Sequence, residues 1–174
     1  GKTIYIANPL TISSFHETVF QNCEILLEEN AYIEVKNSEL TISDSTITSD
    51  PKNRDYSVQI NNASLKVNQT HFKNTDKAIL INNNSILDLN SCLFMNVAYP
   101  LKSMGSNISI SDTEFSSGIN AVESIFDKKV SLSNCKITNF EKALKVGICE
   151  SFKASSLEIS DISRKGFEIY DTNS

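Results

Sequence analysis

Small and apolar side chains alternate in short bursts along this chain, and the bursts recur about every 22 residues. In Leu65-Lys66-Val67-Asn68-Gln69-Thr70-His71-Phe72 they stand at relative positions 0, 2, 5 and 7. The same template reads Leu40, Ile42, Ser45, Ile47, then Leu87, Leu89, Cys92, Phe94, then Ile108, Ile110, Thr113, Phe115. It continues as Val130, Leu132, Cys135, Ile137 and Phe152, Ala154, Leu157, Ile159, with a weaker copy at Thr18, Phe20, Cys23, Ile25. The starts at 18, 40, 65, 87, 108, 130 and 152 are 22, 25, 22, 21, 22 and 22 residues apart. A second landmark keeps the period: a small residue or Pro before a larger apolar one, as in Pro9-Leu10, Ala31-Tyr32, Ser57-Val58, Ala78-Ile79, Pro100-Leu101, Ala121-Val122, Ala143-Leu144 and Gly166-Phe167.

Period-2 alternation over three or four residues predicts short strands with one buried face. A repeat of this length is too short for helical hairpins, which need about 33 residues or more. No stripe of period 3.6 accompanies it. The pattern therefore predicts an all-β solenoid, a right-handed parallel β-helix of about 7–8 coils, with like residues stacked at ~4.8 Å. Polar residues fall at fixed turn positions: Asp44, Gln69, Ser91, Asp112 and Asn134 at one corner, and Ser49, Asn74, Asn96, Ser117, Asn139 and Asp161 at another. They predict ladders that satisfy turn backbone groups. The whole chain, 1–174, reads as one β-helix domain and as a segment of a larger protein. It begins at Gly1, with no signal-peptide pattern.

These strand–turn–strand units, such as Val130-Ser131-Leu132-Ser133-Asn134-Cys135-Lys136-Ile137-Thr138-Asn139, resemble the pectin-lyase-like right-handed parallel β-helix superfamily. The resemblance runs from about Pro9 to Tyr170 and concerns the fold. It implies a range of roles: pectate lyases, polygalacturonases, alginate-modifying enzymes, phage tailspikes, adhesins and surface proteins without catalysis. Asn74-Thr75-Asp76 also looks like the Asn-Thr-Asp motif of polygalacturonases. The paired Asp of that family would fall near Val97 and Ala98, and its Gly-His-Gly near Ser117 to Ile119. This sequence carries neither, nor an Arg-x-Lys.

A net charge of −5, with no basic stripe, argues against nucleic acid as a partner. No apolar run is long enough for a membrane span. Cys23, Cys92 and Cys135 share one inward slot on non-adjacent coils, too far apart for disulfides, and read as buried small apolar residues. Cys149 lies off the template and reads as exposable. His71 should face outward between Thr46 and Leu93. Leu93, Met95 and Leu26 are outward apolar positions suited to a neighbouring domain or chain.

The strongest candidate site comes from stacking. Glu29, Asp55 and Asp76 each lie two residues before a small–apolar pair on three consecutive coils. Neighbouring carboxylates would then be ~5 Å apart and the outer two ~10 Å apart, distances suited to glycoside hydrolysis or to a Ca2+ ion. Tyr56, Lys77 and Tyr99 would add sugar contacts. The insertion Asp50-Pro51-Lys52-Asn53-Arg54-Asp55 lies beside the column, where solenoid insertions often mark a binding face. Two functions follow as expectations. The first is a non-catalytic scaffold, spacer or adhesion segment of a surface or extracellular protein, needing no cofactor and partnered by proteins or by further coils. The second is a carbohydrate-active or glycan-binding module working at the acidic column, with Ca2+ as its only candidate ion.

Overall fold

The computed structural model describes residues 1–13 and 16–170. It is all β, with no helix among these residues, and forms a parallel solenoid of about eight turns. That makes a rod roughly 35–40 Å long. Three ladders run along it. The first joins β1 (Lys2–Ile6), β4 (Cys23–Leu27) and β7 (Thr46–Ser49) to the leading part of β10 (His71–Asn82), β12 (Leu93–Met104) and β14 (Glu114–Ile125). The second joins β2 (Leu10–Ile12), β5 (Ile33–Lys36) and β8 (Tyr56–Asn61) to the trailing part of the same long strands. The third runs through β3 (Glu17–Gln21), β6 (Glu39–Ser43), β9 (Ser64–Asn68), β11 (Ile86–Asn90) and β13 (Asn107–Ser111). In the last coils β15 (Lys129–Gly147) and β16 (Ser151–Tyr170) pass through all three.

Parallel in-register pairing puts like on like. The template starts form one unbroken column: Thr18, Leu40, Leu65, Leu87, Ile108, Val130 and Phe152. Position 7 gives Ile25, Ile47, Phe72, Phe94, Phe115 and Ile137, all fully buried. Outside, His71 stands between Thr46 and Leu93 as the pattern predicts. The second landmark is in phase from Leu10 to Phe167 except at Ala31-Tyr32, which falls one residue early. Ile33, not Tyr32, pairs with Val58 and with Leu10. The turn at Glu28–Ala31 causes this, because it spends one more residue before its strand begins.

The corners work through backbone conformation more than through side-chain ladders. Asp44, Gln69, Ser91, Asp112 and Asn134 at one corner, and Asn74, Asn96, Ser117, Asn139 and Asp161 at another, all have positive φ. Asn, Asp and Ser tolerate that region and turn the chain sharply. Side-chain bonds between coils exist at some rungs, as where the Asn139 amide donates to Ser117 Oγ at 2.9 Å. Ser49 departs from the pattern. It points inward and donates to Thr75 Oγ1 at 2.6 Å.

The inward slot at position 5 is filled by hydroxyls and thiols, in the order Cys23, Ser45, Thr70, Cys92, Thr113 and Cys135, and then by Leu157. Ser45, Thr70 and Thr113 donate to the carbonyls of Ser43, Asn68 and Ser111, two residues back. Ser45 and Thr113 also accept from the coil before: Cys23 N–H donates to Ser45 Oγ at 3.1 Å, and Cys92 N–H to Thr113 Oγ1 at 3.3 Å. The four cysteines are free thiols. Cys149, expected to be exposable, is buried instead, because it continues the inward corner column of Ser85, Ser106 and Asp127. Burial pushes the Cys92 thiol up to about 11 and raises those of Cys135 and Cys149. In the native protein at pH 8, alkylation of these three should therefore be negligible over a time that labels all four in urea. Rapid native labelling at Cys92 or Cys135, read by mass spectrometry, would contradict the column. Among the described residues, no helix is long and apolar enough to cross a membrane.

Candidate functional site

The column proposed from the sequence lies where β8, β10 and β12 enter the second ladder. Tyr56, Lys77 and Tyr99 stack in register on three successive coils and face outward. The Lys77 ammonium sits 5.7 Å from the centre of the Tyr56 ring, a cation–π contact, and donates to the Arg54 carbonyl at 2.7 Å. Burial pushes the Tyr56 hydroxyl up to about 12, with smaller contributions from Glu123, Tyr99 and Asp76. That phenol is a neutral donor at physiological pH.

The acids are arranged differently from the expectation. Asp76 is met by Arg54, whose Nη1 lies 3.8 Å from Asp76 Oδ2. Such an exposed pair contributes about 0–1 kcal/mol. Asp55 is oriented from behind, its N–H donating to Asn53 Oδ1 at 3.0 Å. Glu29 is exposed in the Glu28–Ala31 turn. The one-residue shift between Ile33 and Val58 takes it out of phase with Asp55, so the stack of three carboxylates is not formed as drawn from spacing. Among the described residues, no three His, Cys, Asp or Glu side chains gather where they could hold a metal ion.

The insertion carrying Arg54 and Asp55 is a fixed loop built around Asn53. This side chain is buried and donates to the carbonyls of Glu28 at 3.2 Å and Ala31 at 2.7 Å. Its backbone N–H donates to Asp50 O at 2.9 Å, while Asp50 Oδ1 accepts from Lys52 N–H at 2.8 Å. The tripeptide Asn74-Thr75-Asp76 has its own structural account. Asn74 supplies positive φ, and Thr75 is a buried node bonded to Ser49, Ser57 and the Lys77 carbonyl. Asn74 is exposed and Asp76 half-buried at the surface. Hollows open elsewhere on the rod. One of about 630 Å³ is lined by residues such as Glu17, Asn37, Glu39, Asn62 and Ile86, and another of about 300 Å³ lies between Tyr5, Leu26, Leu27, Glu28, Thr48 and Asp50. Arg54, Asp55, Tyr56, Asp76, Lys77 and Tyr99 line neither.

No family model, curated protein or solved structure matches this chain. The site therefore has to be read from its own chemistry. It consists of a cation–π pair, an ion pair at the surface and a phenol held neutral by burial.

One buried charge escaped the sequence reading. Asp127 is fully buried and accepts from Ser106 N–H at 2.7 Å, Ser103 Oγ at 2.9 Å and Ser124 Oγ at 2.5 Å. Its corner slot holds Ser85, Ser106 and Cys149 in neighbouring coils, so a lone Asp among small residues was the available signal. Burial raises its carboxyl above the ordinary 3.8, and the three donors offset this only in part. The sign follows from linkage. A raised folded value means that Asp127 favours folding most below the unfolded value, and that this contribution is lost as pH rises through the folded value. Urea midpoints of wild type should therefore fall relative to Asp127→Asn as pH climbs from about 3.5 toward neutral. Parallel pH profiles for the two proteins would show that Asp127 is not buried as described.

Proposed function

We propose that this chain is a rigid, non-catalytic β-solenoid scaffold, a spacer or interaction segment of a larger surface or extracellular protein. Its architecture is of the kind seen in pectin-lyase-like helices. The observation that carries the reading is the continuity of the rod. Three ladders and one apolar core run through successive coils without interruption, and the corners are set by Asn, Asp and Ser turns. Such a rod resists bending because every coil is hydrogen-bonded to its neighbours along three faces. Its natural partners are further coils or other proteins.

A second reading, glycan binding, is favoured by one feature. Tyr56, Lys77 and Tyr99 form an outward column beside Asp76, and stacked tyrosines with a lysine suit an anionic sugar. Calorimetric titration with Ca2+ and with a panel of oligosaccharides separates the two. The scaffold reading expects no saturable heat from wild type and a melting temperature unchanged by millimolar Ca2+. A response in wild type that Asp55→Asn/Asp76→Asn abolishes would replace it with the glycan reading.

A further inference from the structure

The corner that follows the second ladder is built on one backbone conformation. Its residues Asn37, Asn62, Asn83, Gly105, Phe126 and Ile148 all have positive φ, at 51°, 49°, 55°, 68°, 58° and 48°. Asn and Gly are the residues that suit this region. Phe126 and Ile148 do not, and a β-branched residue there is a genuine outlier. Both side chains are moreover turned to solvent, at 55% and 44% exposed. Beside them the outward column runs Met104, Ile125, Gly147, with Met104 at 46% exposed. The result is a convex apolar ridge on one edge of the rod, spanning three coils. The chain bears positive-φ backbone and exposed apolar surface at the same two residues. Outliers of this kind mark functional surfaces.

The ridge is flanked by Lys128 and Lys129, both exposed and in no ion pair among the described residues. Its complement is on the same molecule. The hollow of about 300 Å³ on the first three coils has apolar walls from Tyr5, Leu26 and Leu27, with Glu28 and Asp50 among its lining. Tyr5 is 71% exposed. Charge is distributed to match. Residues 1–50 carry eight acids and two lysines, whereas residues 51–174 carry 13 acids and 14 basic residues. The flank of the ridge thus carries Lys128 and Lys129, with Glu150 on the next coil, and the rim of the hollow carries Glu28 and Asp50.

We propose that the occupant of this ridge is a second copy of the chain. Phe126 and Ile148 of one rod enter the Tyr5–Leu26 hollow of the next, and Lys128 and Lys129 approach Glu28 and Asp50. The two surfaces lie on different coils, roughly 20 Å apart along the rod. The contact is therefore heterologous and staggered, and it propagates unless a rotation closes it. This goes beyond the scaffold reading and supplies a way for such rods to associate side by side.

The test uses a substitution that favours folding. Phe126→Asn/Ile148→Asn installs the residue that the same corner uses in three other coils, so its melting temperature should equal or exceed that of wild type. Sedimentation equilibrium should show the mass of wild type rising with concentration, and self-association of the variant at least about tenfold weaker. Lys128→Glu/Lys129→Glu should weaken association in the same direction with the fold intact. A wild type that stays monomeric up to millimolar concentration overturns the proposal. So does association that persists undiminished in the Asn variant, as stacking of end faces would. If wild type instead binds phosphatidylglycerol vesicles without self-associating, and the Asn variant does not bind, the ridge is a lipid contact and the proposal fails.

Discussion

Phe94→Ala should cost about 3–5 kcal/mol of stability, a large share of the whole for a domain of this size. Phe94 is the middle ring of three, fully buried, with centroids 4.7 Å from Phe72 and 4.9 Å from Phe115 and interplanar angles of 4° and 12°. Free aromatic pairs prefer offset or edge-on geometry. Here the ladder register imposes the parallel stack, because equivalent Cβ atoms on successive coils point the same way. Truncation removes one ring's burial and both stacks, and rigid ladders on either side limit collapse into the void. The coils lend each other stability through nearest-neighbour contact, so the loss falls at the centre of the rod, where it divides the cooperative unit. Ile137→Val, one methyl group in the same column, should cost about 0.5–1.5 kcal/mol. Urea unfolding followed by circular dichroism checks both. A Phe94→Ala loss no larger than that of Ile137→Val would mean that the ring column is not the core.

The difference between what the sequence made legible and what it hid has one cause. A residue inside a ladder is constrained by its equivalents above and below, so Leu65, Leu87 and Ile108 announce their column by recurring. The outward positions of His71 and Met95 follow from the same phase. Corners are not constrained in this way. The turn at Glu28–Ala31 shifted phase by one residue, which displaced Glu29 from the acidic column, and no periodic signal marks such a slip. Asn53 looked like loop composition, yet its side chain ties the insertion to the preceding coil. Asp127 and Cys149 share a slot with serines, and a slot that takes Ser, Asp and Cys shows no hydrophobic period. The shared column of Tyr56, Lys77 and Tyr99 was visible as stacking. The Arg54–Asp76 pair was not, because it depends on where the inserted loop folds back.

Gly118→Ala should lower the melting temperature by roughly 6–12 °C, the equivalent of about 3 kcal/mol in a chain this long. At an ordinary strand position the same change is mildly favourable, about 0.4–1 kcal/mol, because it restricts the unfolded chain. Gly118 has no positive φ to protect, unlike Gly105 at +68° with nothing near it, so conformation is not why it is glycine. Space is the reason. A Cβ on Gly118 would overlap the Val97 carbonyl oxygen and Phe140 Cε1. The buried Phe140 ring, paired with Gly118 across β14 and β15, occupies the volume that the missing side chain leaves. The two obstacles separate by experiment. Phe140→Leu can relieve the ring contact, but the Val97 oxygen belongs to the backbone of the adjacent coil and yields only if the ladder shifts. The double variant Gly118→Ala/Phe140→Leu should therefore stay well below Phe140→Leu alone. Equal melting temperatures for those two proteins would place the whole obstacle in the ring, and a Gly118→Ala protein as stable as wild type would remove the close approach of coils at this corner altogether.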